Sequence, residues 1–107
     1  AQTVLVCYGA AARSARHVAA ARRAHGERVG LIELQTLWPF PAAAVRRLCA
    51  DAQTILVVEM NMGQVTREVR RVVPHPERVF LANRYDGELV RPTDIRNIMR
   101  LVCGQGV

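Results

Sequence analysis

Apolar and polar positions fall into blocks along this chain, and each block has the length of one structural element. Ile55-Leu56-Val57-Val58 is apolar and mostly β-branched, which predicts a strand covered on both faces, within Gln53–Glu59. Thr3–Tyr8 has the same character and predicts a first strand, broken by Gly9. Ala10 to His25 then reads as an alanine-rich helix with Val18 as its largest apolar residue and Gly26 placed as its cap. Arg13, Arg16, Arg22 and Arg23 supply its polar positions. Arg28–Leu34 predicts a second strand, with Glu33 embedded near its end. Pro41 suits the first position of a helix reaching about Ala50, with Val45, Leu48 and Cys49 on one stripe. A third helix, Gln64 to Val73, carries Val65, Val69, Val72 and Val73 on one face and is stopped by Pro74-His75-Pro76. Arg78–Ala82 predicts a fourth strand. Pro92 opens a last helix with Asp94 in its first turn and Ile95, Ile98, Met99 and Val102 as its buried stripe.

The pattern is βα repeated four times with short connections. It predicts an α/β fold: a parallel sheet of order 2-1-3-4 with helices on both faces. The order reverses between the first and third strands. Ligands of such sheets bind at that switch point, here between Cys7-Tyr8-Gly9 and Glu59-Met60-Asn61.

Composition adds limits. The 107 residues are half hydrophobic, which suits one domain with its own core. The net charge is +6 and every basic residue is Arg. Either the arginines form solvated helix faces or they make a basic surface for nucleic acid, but no RNA- or DNA-binding motif accompanies them. Cys7, Cys49 and Cys103 form no CxxC pair, so neither a zinc site nor a cluster site is indicated, and reduced thiols point to the cytoplasm. No apolar run approaches the ~18 residues of a membrane span. Strand-like residues begin almost at Ala1, which suggests a fragment of a longer polypeptide.

Three stretches are candidates for function. The turn at Gly9 opens a helix, and a helix N-terminus attracts anions; an ordinary βα turn is the alternative. Glu59, Asn61, Gly63 and Gln64 form a polar cluster at the end of the third strand. They are contacts for a ligand or partner, with Glu59 a base if buried; otherwise Asn61 caps the helix and Glu59 pairs with an arginine. Trp38, Pro39 and Phe40 gather the single Trp and one of two Phe residues, either as an interface anchor or as a cap on the sheet edge. His17, His25 and His75 lack metal-ligand spacing, and Cys7 reads as a structural thiol.

Taken in order, Tyr8-Gly9, the Ala12–Arg16 segment, Val29–Leu34, Leu37-Trp38-Pro39-Phe40-Pro41, Val57–Gln64 and Gly87-Glu88 resemble the C-terminal domain of the alpha subunit of 2-oxoacid:ferredoxin (acceptor) oxidoreductases, the 2-oxoglutarate type most of all. The resemblance covers nearly the whole chain. It implies a transketolase C-terminal-like fold, a three-layer α/β/α sandwich over residues 1–107. It also implies a parent complex that uses thiamine diphosphate, Mg and iron–sulfur clusters to decarboxylate a 2-oxoacid oxidatively, forming an acyl-coenzyme A and reducing ferredoxin. Those cofactors are expected in other domains or subunits, with this domain serving assembly and the shaping of the active-site region. Its expected partners are the rest of the alpha subunit and a beta subunit. Ala10 stands where the family often has Ser, and Gln35 where Lys is common. Two rival readings are a free-standing flavodoxin-like module binding a nucleotide or small molecule, and an Arg-rich nucleic-acid binder.

Overall fold

A computed structural model describes residues 2–35, 37–59, 63–83 and 90–102. The elements run β1 (Thr3–Tyr8), α1 (Ala11–Ala24), β2 (Val29–Leu34), α2 (Ala42–Cys49), β3 (Thr54–Val58), α3 (Gln64–Val72), a 3₁₀ turn (Pro76–Arg78), β4 (Val79–Ala82) and α4 (Pro92–Val102). The four strands are parallel in the order β2-β1-β3-β4, as the alternation predicts. Val6 stands level with Ile32 on one side and Val57 on the other, and Val57 with Leu81.

Strand periodicity divides the core into two layers. Leu5, Cys7, Leu56, Val58 and Ala82 face α1 and α4, whereas Val4, Val6, Ile55, Val57 and Val79 face α2 and α3. Central β3 is buried at every position, while edge strand β2 is buried only at its two ends. Alanine explains how α1 sits on the sheet: Ala11, Ala12, Ala15 and Ala19 are buried with Val18. Helix α1 ends in a Schellman motif. Gly26 takes φ +86°, its N–H donates to the Arg23 carbonyl, and the Glu27 N–H donates to that of Arg22.

Three expectations need correction. Leu48 is 53% exposed, so the buried stripe of α2 is Val45 and Cys49 alone; eight residues make two turns, and a third apolar position falls outside the narrow contact. Pro41 is the residue before α2 rather than its first. Arg78 closes the 3₁₀ turn instead of opening β4, its N–H donating to the His75 carbonyl. In α4 the fully buried residues are Ile95 and Met99. Asp94 acts as expected in its first turn, its Oδ2 accepting the Arg91 N–H at 2.8 Å.

Candidate functional site

The C-terminal edge of the sheet carries the candidates. β1 ends at Tyr8, and Gly9 follows with φ +63°, its carbonyl accepting the Ala12 N–H at 3.0 Å. A side chain at Gly9 would meet nothing within 4 Å, so the glycine serves the backbone turn rather than a close approach. The first turn of α1 holds no acidic residue and no side-chain cap.

One strand over, the chain leaves β3 at Val58 and turns Glu59 inward. Its backbone N–H donates to the Ala82 carbonyl at 3.2 Å, which extends the pairing with β4 by one residue. The side chain has no exposed surface. It accepts three hydrogen bonds: from the Val65 N–H at 3.2 Å, the Thr66 N–H at 3.0 Å and the Thr66 hydroxyl at 2.6 Å. Val65 and Thr66 are the second and third residues of α3, whose N–H groups have no partner within the helix. Glu59 therefore caps α3 from the preceding strand, and its negative charge lies against the positive end of the helix dipole. No arginine pairs with it among the described residues. A carboxylate that binds three donors this way is oriented by the head of α3.

Gly63, the residue before α3, is buried and left-handed at φ +93°. A Cβ there would lie 3.7 Å from Leu81 Cδ2 and 4.0 Å from Arg67 Nη1. Gln64 is exposed, and Asn61 lies outside the described residues.

The aromatic segment lies beside the same helix. Trp38 is 71% exposed and joined to Pro39 by a cis peptide bond; Pro39 is exposed and Phe40 half-buried. Leu37, Trp38, Phe40, Gln64, Val65 and Glu68 line a shallow pocket of ≈ 30 Å³. The structure thus brings Trp38 and Phe40 together with Gln64, two stretches that the sequence presents separately. Gly9 sits at the head of α1, which packs on the opposite face of the sheet from α3. Thr66 and Glu68 escape sequence reasoning, since both lie inside a helix and no spacing rule ties them to Glu59 or Trp38.

The remaining chemistry is muted. Burial pushes the Cys7 thiol up to about 11, with Glu33 adding to the shift and Arg16 opposing it. Its Sγ donates to the Ile32 carbonyl at 3.6 Å. Burial alone pushes Cys49 up to about 11. Both thiols are thus protonated and unreactive near neutrality. Cys103 lies outside the described residues. His17, His25 and His75 are exposed, and among the described residues no three His, Cys, Asp or Glu side chains gather to hold a metal ion. Many arginines hold the fold together. Arg23, Arg46, Arg70 and Arg78 donate to the carbonyls of Val29, Val72, Val79 and Ala52, and Arg16 pairs with Glu33 at 2.6 Å. No helix among the described residues is long and apolar enough to cross a membrane.

Comparison with known proteins follows the same lines. The family model described as pyruvate:ferredoxin oxidoreductase core domain II matches residues 1–95. The 2-oxoglutarate synthase subunit KorA of Methanothermobacter marburgensis is 38% identical over 97 residues, 91% of this chain and 26% of that protein. KorA of Methanocaldococcus jannaschii is 40% identical over 95 residues, 89% of this chain and 25% of that protein. Ketoisovalerate oxidoreductase subunit VorB of Methanothermobacter marburgensis is 35% identical over 105 residues, 98% of this chain and 30% of that protein. The chain thus spans about a quarter of the length of the curated relatives it matches. Among solved structures, 94% of the chain superposes on 18% of a chain of the 2-oxoglutarate:ferredoxin oxidoreductase from Magnetococcus marinus, with a TM-score of 0.83 at 22% identity. It superposes equally fully on 38% of a split-gene transketolase chain, with a TM-score of 0.77 at 16% identity. Both likenesses concern the fold, which is transketolase-like as expected.

Proposed function

The chain belongs to the pyruvate:ferredoxin oxidoreductase core domain II family, and from that premise we propose that it is a non-catalytic domain of the alpha subunit of a 2-oxoacid:ferredoxin (acceptor) oxidoreductase. In this reading residues 1–107 form one domain of a longer cytoplasmic subunit. The domain assembles with the rest of that subunit and a beta subunit and shapes the region around the active site. The parent complex oxidatively decarboxylates a 2-oxoacid to an acyl-coenzyme A and passes the electrons to ferredoxin.

The observation that carries the reading is identity of 35–40% along nearly the whole chain to subunits named for such reactions. A non-catalytic role is supported by the groups that could have done chemistry. The Glu59 carboxylate is occupied by three donors of α3, and the two described thiols are buried and protonated. Thiamine diphosphate, magnesium and iron–sulfur clusters accordingly reside elsewhere in the complex. Relatives named for 2-oxoglutarate and for ketoisovalerate match at similar identity, which supports substrate selection outside this domain.

The test measures coenzyme A-dependent reduction of ferredoxin or a viologen dye by a 2-oxoacid. The purified parent complex is expected to turn over and this chain alone to be inert. Decarboxylation of a 2-oxoacid by the chain alone would overturn the proposal.

A further inference from the structure

We draw no further inference here: the strongest candidate, the polar cleft of ≈ 560 Å³ between the α1–β2 and α2–β3 turns, lined by Gln2, Gly26, Glu27, Arg28, Asp51 and Gln53, carries nothing, because all six lining residues are exposed surface and nothing in the structure shows what covers it.

Discussion

Glu59→Ala is the most informative single change in this domain. The substitution removes a fully buried carboxylate that accepts from two backbone N–H groups and one hydroxyl. Hydrogen bonds to a charged group contribute about 1.5–3 kcal/mol each, while burying a carboxylate costs several kcal/mol. The native balance is therefore modest, and the loss on mutation comes mainly from what stays behind. The Val65 and Thr66 N–H groups and the Thr66 hydroxyl would be left without a partner, at about 1–3 kcal/mol for each buried group. Water reaching the cavity would recover part of that loss, so about 3–5 kcal/mol of destabilisation is expected. Glu59→Gln keeps one acceptor oxygen and the shape but loses the charge at the helix end, for about 1.5–3 kcal/mol. Thr66→Val removes one donor and leaves the carboxylate with two, for about 1 kcal/mol. Urea unfolding followed by far-ultraviolet circular dichroism gives all three values. The expected order is Ala, then Gln, then the Thr66 variant. An Ala variant within about 0.5 kcal/mol of the parent would refute the capping argument, because buried donors cannot be abandoned so cheaply. A parent complex that carried Glu59→Gln with unchanged stability but lost turnover would instead return Glu59 to a direct chemical role.

Further predictions concern the thiols and the turns. Burial pushes the Cys7 and Cys49 thiols from an ordinary 9.0 up to about 11 in the folded chain. The raised folded value makes their contribution complete below pH 9 and lost as pH rises toward 11, since the unfolded chain gives up its protons first. Stability should fall over that window, and Cys49→Ala should flatten the fall in a urea series from pH 8 to 11. Gly63→Ala has space but the wrong backbone, at φ +93°, and should cost about 1–3 kcal/mol in the same unfolding assay. Ser14→Ala breaks a 2.6 Å hydrogen bond from the Ser14 hydroxyl to the Val90 carbonyl, which ties α1 to the entry of α4. A loss of about 1 kcal/mol is expected, with faster hydrogen exchange in α4 than in β1.

Much of this protein is decided locally and is therefore legible in its sequence. Four apolar runs of strand length, separated by helical periods, fix the elements. Their alternation without hairpin turns fixes a parallel sheet, because parallel neighbours need a crossover. The order β2-β1-β3-β4 is the one expected of a doubly wound sheet of this kind. The ordered motifs from Tyr8-Gly9 to Val57–Gln64 carry the family resemblance, because it rests on residue identities and their order along the chain. What the sequence leaves open involves partners distant along the chain. It offers Glu59 as a base or as an ion-pair partner. Only the packing of α3 against the end of β3 brings Val65 and Thr66 to its carboxylate and makes it a helix cap. Trp38 and Gln64 lie 26 positions apart and share a pocket because α2 and α3 pack on one face of the sheet. Leu48 fits the helical stripe yet stays exposed, because period fixes direction around a helix but not how far the neighbouring layer reaches. Local spacing determines which elements form, whereas the burial of a charge and the meeting of two segments depend on packing between elements, which no single stretch of sequence contains.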